Sequence, residues 1–280
     1  SIQQVLATRT PGATVQEALN HGSKPSEKVV YLPEKCICSV LPGGQRMGYI
    51  YATTYTDGSP IPMRLQKGGL NPDYGRAFPC ACRRAEEAGL ARDFLWQEAN
   101  LPPGQWTFSS YLTDIPDETT AMQEARVAAL DTVRAWASGQ PKSTPWVFLY
   151  GPVGVGKTHL CCAAVAALVG ADIHARYEYV PDLVDRLRSG QGDDSYAGTI
   201  AHLRNLQVLV LDDLNATKTT DWAEGEILKL VDWRYREHAP LLVTTNVELD
   251  QVEGRLLDRL TDRQLSSMMS MIWPSYRQRL

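Results

Sequence analysis

Trp146-Val-Phe-Leu-Tyr-Gly151-Pro-Val-Gly-Val-Gly-Lys-Thr-His159 is the stretch that decides the fold. Its first five residues are apolar and make a short buried strand. Gly151 to Thr158 then matches G-x-x-x-x-G-K-[ST] at every fixed position, and a helix is expected to start near Lys157. Strand, glycine-rich turn and helix in that order build a cradle for phosphate. The glycines let backbone N–H groups converge on anionic oxygens, and the helix N-terminus adds a favourable dipole. The motif assigns Gly151, Pro152, Gly154, Gly156, Lys157, Thr158 and His159 to nucleotide binding. Lys157 would reach the β- and γ-phosphates, and the Thr158 hydroxyl would ligate Mg2+.

Working outward, the chain from Trp106 onward alternates buried-strand runs with helical patterns, the mark of an α/β domain with a parallel sheet. Ala121 to Ala137 reads as a helix, with Met122, Ala125, Leu130, Val133 and Ala137 near the 3.6-residue period. Ile173 to Val180 is a strand, and Pro181 to Arg188 a helix that Gly190 ends. Val208 to Leu211 is a fully apolar strand. Asp221-Trp-Ala-Glu224 opens a helix running to about Glu237. Leu241 to Thr245 is the next strand, and a mostly helical tail is expected after it.

Two strand ends add chemistry to the phosphate loop. Val208-Leu-Val-Leu-Asp-Asp213 ends in two carboxylates. Beside a phosphate loop, Asp212 would hold Mg2+ and Asp213 would polarise the attacking water as general base. Thr244-Thr-Asn246 places an amide where it would orient that water against the γ-phosphate. Taken alone, the acid pair reads as an acidic turn and Asn246 as a turn cap. The residues after Asn246 are Val247-Glu-Leu249, so no N-K-x-D guanine reader follows, and the nucleotide expected is ATP.

The order of phosphate loop, Asp-Asp strand and Asn strand resembles the AAA+ ATPases. Arg255-Leu-Leu-Asp-Arg-Leu260 resembles the box VII motif of the DnaC/DnaI helicase-loader and IstB group, and Trp273-Pro-Ser-Tyr-Arg277 resembles its sensor 2 segment. Gly104-Gln-Trp-Thr-Phe-Ser-Ser-Tyr111 and Leu206 to Leu214 extend the likeness over roughly residues 104 to 280. The resemblance implies that Arg259 is an arginine finger acting on ATP held by a neighbouring subunit, and that Arg277 touches the γ-phosphate in cis. It also implies a ring or spiral homo-oligomer. Because the sequence stops three residues after Arg277, a parallel-sheet AAA+ core with no full helical lid domain is the expected fold.

Residues 1–95 form a Gly- and Pro-rich zone holding Cys36-Ile-Cys38 and Cys80-Ala-Cys82; 96–110 is a linker around Asn100-Leu-Pro-Pro-Gly104; 111–280 is the ATPase domain. Residues i and i+2 of an extended chain share a face, so each C-x-C pair could bite one Zn2+, and four thiolates make a closed structural site. The spacing departs from C-x2-C, and four reduced cysteines or an iron–sulfur centre are the alternatives. In loaders resembling DnaI, an N-terminal cysteine-rich segment grips the helicase, which gives this zone a partner-binding purpose. Cys161 and Cys162 read as small core residues.

The 280 residues have 44% hydrophobic and 21% charged content and a net charge of -4, so no bulk basic footprint for nucleic acid exists. No apolar run approaches the ~20 residues of a bilayer span, and the start lacks a secretory signal pattern, so a cytoplasmic protein without a membrane partner is expected. The resemblance implies single-stranded DNA in the oligomer pore. Cations for phosphates and aromatic faces for bases would come from Arg176, Tyr177, Arg186 and Arg188, which read otherwise as a solvated helix face and an edge strand. The function implied is loading of a hexameric replicative helicase onto single-stranded DNA. Its rival is an IstB-like transposition ATPase acting on duplex DNA with a transposase. A small-molecule kinase and a nucleotide-switched scaffold are the readings from other classes.

Overall fold

The computed structural model describes residues 49–51, 77–79, 81–138, 144–191, 194–214 and 221–278. Two compact units divide the chain: Pro11–Phe94, and Ser1–Thr10 with Leu95–Leu280. In the first, β1 (Tyr49–Tyr51) pairs antiparallel with β2 (Ala77–Pro79), Ile50 opposite Phe78. Helix α1 (Ala81–Glu98) begins in that unit and ends in the other. The zinc expectation rests on Cys36, Cys38, Cys80 and the side chain of Cys82, which lie outside the described residues.

The larger unit contains α2 (Thr120–Ala137), β3 (Trp146–Tyr150), α3 (Lys157–Gly170), β4 (Ala175–Tyr179), α4 (Val180–Ser189) and α5 (Asp194–Asn205). It continues through β5 (Val208–Leu214), α6 (Asp221–Arg236), β6 (Leu241–Thr245), α7 (Gly254–Leu260) and β7 (Ser266–Ser270). Five strands form one sheet in the order β4-β5-β6-β3-β7, every pair parallel. The expected α/β parallel fold is what the chain adopts.

Strand alternation divides the core between the two faces of the sheet. Val147, Leu149, Val208 and Val210 pack with α2 and α3 residues such as Val133, Trp136, Leu160 and Leu168. Their neighbours Phe148, Leu209, Leu211 and Val243 pack on the other face with Leu183, Leu187, Ile227 and Leu230. Burial on both faces is why these strands read as unbroken apolar runs. Each fully buried Leu or Phe contributes about 1.5–3 kcal/mol.

Two elements differ from the sequence expectation. The tail expected to be mostly helical contains β7, whose Ser266 pairs with Trp146 and Ser270 with Tyr150. Serine and methionine have weak strand preference, and it is the free edge of β3 that makes this segment extended. Helix α5 was not expected from the sequence; it buries Leu203.

Because all five strands are parallel, their carboxyl ends open on one rim. Open α/β sheets bind ligands there. The phosphate loop, Asp212-Asp213 and Asn246 all leave strands at that rim, and the sheet order sets β6 between β3 and β5.

Candidate active site

The phosphate loop turns through left-handed glycines. Gly154 has φ +85°, and a Cβ there would lie 1.9 Å from Ser275 Oγ. Gly156 has φ +102° and is the N-cap of α3 without any side-chain capping bond. The first N–H groups of α3 are thus left to a ligand, which is the geometry an anion uses. Lys157 is only 5% exposed, and its Nζ donates to the carbonyls of Gly151 at 2.6 Å and Pro152 at 2.8 Å. Burial pulls its pKa down to about 8, against the pull of Asp212 and Asp213. A buried ammonium held by neutral carbonyls beside an uncapped helix start fits a polyphosphate.

Asp212 is buried, and both its oxygens are held. Oδ2 accepts from the Tyr177 hydroxyl at 2.8 Å and Oδ1 from the Thr244 hydroxyl at 2.5 Å. The same Thr244 oxygen accepts the Asp213 amide at 2.9 Å. Asp213 departs from the strand at φ +64°, where the β5–β6 register shifts between Leu211 and Leu214. That turn aims the carboxylate away from the ladder. Asn246 Nδ2 donates to Asp213 Oδ1, and Tyr179 hydrogen-bonds to the same carboxyl. Burial, then the neighbouring Asp212, raises the Asp213 pKa, which suits a group that takes a proton.

These groups share one cavity of about 370 Å³. Lys157, Thr158, Asp212, Asp213, Thr244 and Asn246 line its chemical end, with Arg277 from the turn Tyr276–Gln278. Tyr276 N donates to Gly154 O at 2.9 Å, so the turn bearing Arg277 rests on the phosphate loop. Gly154 and Gly156 line the cavity, whereas Gly151 and Pro152 serve through the carbonyls that hold Lys157.

Another part of the lining was not assigned from the sequence. It consists of Trp106, Ser110, Tyr111, Leu112 and Arg126. His159 meets Trp106 and Tyr111 edge-on, with ring centroids 5.6 and 5.5 Å away. Arg126 is buried, pairs with Glu118 through two 2.7 Å bonds and lies 4.8 Å over the Trp273 ring. The run of aromatics at 106–111 was the available signal, but its meeting with His159 and Trp273 is tertiary.

The family of IstB-like ATP binding proteins matches residues 107–270, from the edge of this aromatic wall through β7. The chain belongs to that family. It is similar to an insertion sequence ATP-binding protein of Sinorhizobium fredii, 33% identical over 150 residues that cover 53% of this chain and 47% of that protein. It is also similar to the replicative helicase loader DnaI of Bacillus subtilis, 28% identical over 108 residues, 38% of this chain and 35% of the loader. The chain thus spans about half or less of the length of these relatives. A solved DNA replication initiation factor shares the fold, with a TM-score of 0.51, 17% identity and coverage of 60% of this chain and 50% of that one. The IstB-like chain is therefore an ATP-binding protein built on a parallel α/β core.

Besides Gly151 and Pro152, five described residues singled out in this IstB-like sequence lie away from the cavity lining. Arg259 sits on α7, where Asp232 at 3.3 Å and Asp258 at 3.0 Å hold it and its guanidinium lies 4.6 Å from the Tyr235 ring centroid. Arg176 and Arg186 both pair with the buried Glu178, at 2.6 and 2.8 Å. Arg188 is half exposed and pairs with Asp185 at 3.2 Å. Tyr177 differs most from its expected place: only 6% exposed, it turns into the core toward Asp212 and offers no ring face to a base. No helix among the described residues is long and apolar enough to cross a membrane.

Proposed function

We propose that this chain binds and hydrolyses Mg-ATP between copies of itself, and uses that cycle to load a hexameric replicative helicase onto single-stranded DNA in the cytoplasm. The observation that carries the reading is the gathering of Lys157, Asp212, Asp213, Asn246 and Arg277 around one cavity, while Arg259 stands outside it on α7.

The chemistry follows from those positions. Lys157 exchanges its two carbonyl partners for the β- and γ-phosphates, which stabilises the charge that burial disfavours. Thr158 and Asp212 would hold Mg2+, which when bound would supply positive charge against the charge developing on the phosphates. Asp213 accepts the proton of the attacking water, and Asn246 keeps that carboxylate and the water in line. Arg277 meets the γ-phosphate in cis, and Arg259 reaches the ATP of the adjacent copy. An interface arginine of this kind is worth about 10^3-fold or more in rate. Residues 1–95 grip the partner, with Cys36, Cys38, Cys80 and Cys82 holding Zn2+. Arg186 and Arg188 are the cations nearest a role on DNA, once released from Glu178 and Asp185.

The similarity to an insertion sequence protein favours a second reading, an ATPase that acts on duplex DNA with a transposase. ATP hydrolysis measured with single-stranded and duplex DNA, on wild type and Arg259→Ala, separates the two. Stimulation by single strands that Arg259→Ala loses supports the loader. Stimulation by duplex alone moves the assignment to transposition. An active variant indifferent to DNA sinks interface catalysis.

A further inference from the structure

Tyr177 is held at both ends, and each end belongs to a different part of the molecule. Its side chain crosses into the core, where the hydroxyl donates to Asp212 Oδ2 at 2.8 Å. Its backbone lies on the outer edge of β4, the last strand of the sheet. There its N–H donates to the Ala99 carbonyl at 2.9 Å, and its carbonyl accepts from Asn100 Nδ2 at 2.9 Å. Asn100 has φ +52°, a left-handed conformation that asparagine tolerates better than most residues. Next to it, Arg176 Nη1 donates to the Glu98 carbonyl at 2.9 Å. The segment that ends α1 is thus laid along the edge strand at Tyr177, whose side chain reaches the Asp212 carboxylate.

A carboxylate has about four lone-pair directions. The hydroxyls of Tyr177 and Thr244 take one on each oxygen of Asp212, and the Cys161 thiol takes a longer one on Oδ1 at 3.8 Å, which fixes the rotamer and leaves about one direction, on Oδ2, for the cavity. An O–H···O bond weakens beyond roughly 3.0 Å. A shift of a few tenths of an ångström in the Tyr177 backbone therefore suffices to loosen the carboxylate.

Resting on the reading of Asp212 as a magnesium-holding residue, we propose that Tyr177 is a positioning residue for that carboxylate and is itself positioned by Ala99 and Asn100, so that displacement of the chain around residue 98 changes metal affinity at the nucleotide site. The pairing of a buried phenol with a carboxylate would satisfy two polar groups in any core. What sets this pair apart is that the phenol's own backbone is tied to the chain entering the domain.

The test uses the full chain and a fluorescent ATP analogue, titrated with Mg2+ and followed by anisotropy, with binding in EDTA as the metal-free reference. Tyr177→Phe keeps the ring and removes the hydroxyl. It is expected to raise the Mg2+ concentration for half-saturation roughly five- to tenfold, the loss of one charge-assisted hydrogen bond, with binding in EDTA unchanged. Asn100→Gly keeps the left-handed turn, removes the clamp and alters only a partly exposed side chain. It is expected to shift half-saturation in the same direction, and the double variant should fall short of the two effects multiplied together. Unchanged Mg2+ dependence in both single variants, with Asp212→Asn impaired, overturns this proposal and leaves the Mg-ATP reading standing. If Asp212→Asn itself binds with unchanged Mg2+ dependence, the assignment of the metal carboxylate fails and this proposal fails with it. A lower melting temperature alone in Tyr177→Phe, with normal Mg2+ dependence in Asn100→Gly, marks a purely structural bond and also overturns it.

Discussion

The indole N–H of Trp273 donates to the carbonyl oxygen of Val155 at 2.9 Å, a bond between the centre of the phosphate loop and a residue 118 positions later. Arg126 stacks on the same indole. The loop that cradles phosphate and the segment that delivers Arg277 are therefore fastened to each other. Trp273→Phe removes the bond and part of the ring. We expect a loss of about 1–3 kcal/mol in denaturant unfolding. Nucleotide affinity should weaken as well, because Arg277 loses its anchor; a full-strength nucleotide Kd in a destabilised variant would contradict this.

Lys157 sets a pH dependence for nucleotide binding. Burial has lowered its free-state pKa to about 8, and a bound polyanion raises it, so above that pH the bound form holds a proton that the free form has lost. Affinity should therefore be level from about pH 7 to 8 and fall by up to about tenfold per unit above, until the bound-state pKa is reached. Calorimetric titration across pH 7 to 10 reads this directly. A constant Kd through pH 9 would mean the lysine does not meet the phosphates.

Thr244→Val tests the bridge between the two carboxylates. The hydroxyl is donor to Asp212 and acceptor for the Asp213 amide, so valine leaves a polar pair without its link. Stability should drop by about 1–3 kcal/mol. Hydrolysis should drop more in kcat than in KM if, as proposed, the carboxylates act on Mg2+ and water rather than on the nucleotide base.

Arg259→Ala and Lys157→Ala are each expected to be inactive alone. Mixed, they should recover part of the activity, because some interfaces then pair an intact Lys157 with an intact Arg259. Steady-state hydrolysis across mixing ratios gives the result. A mixture as silent as its components would place Arg259 in cis or in structure.

Arg234→Met addresses the core alone. This fully buried guanidinium donates to the carbonyls of Leu203, Leu206, Gln207 and Pro240, joining the end of α5 to the starts of β5 and β6. Methionine fills much of the space but leaves those carbonyls without their donor, so unfolding should come about 2–4 kcal/mol sooner.

Much of the fold was legible because the physics involved is local. Trp146–Tyr150, Val208–Leu211 and Leu241–Val243 are apolar along their whole length, and only a strand covered on both faces asks for that. The phosphate loop is legible for the same reason, since its glycines answer a backbone demand. Strand β7 was not, because Ser266-Ser-Met-Met-Ser270 carries no preference of its own and takes its shape from β3. Tyr177 beside Arg176 resembles a nucleic-acid contact in sequence, yet alternation along β4 points it inward while Arg176 turns to Glu178. The aromatic wall of the cavity depends on residues 106, 111, 159 and 273 meeting in space, and no window of sequence contains that meeting.

The parallel sheet also has a practical side for experiment. Every loop with a part in the chemistry leaves the carboxyl end of a strand, so the turns entering the strands lie on the far rim. The exposed turn at Gly170–Asp172, between α3 and β4, is one of them. A fluorophore carried there on Ala171→Cys would sit a full strand length from the phosphates. With Cys36, Cys38, Cys80 and Cys82 replaced by serine, it could report assembly between copies without disturbing what happens inside each one, and Cys161 and Cys162, both buried, would not compete for the dye.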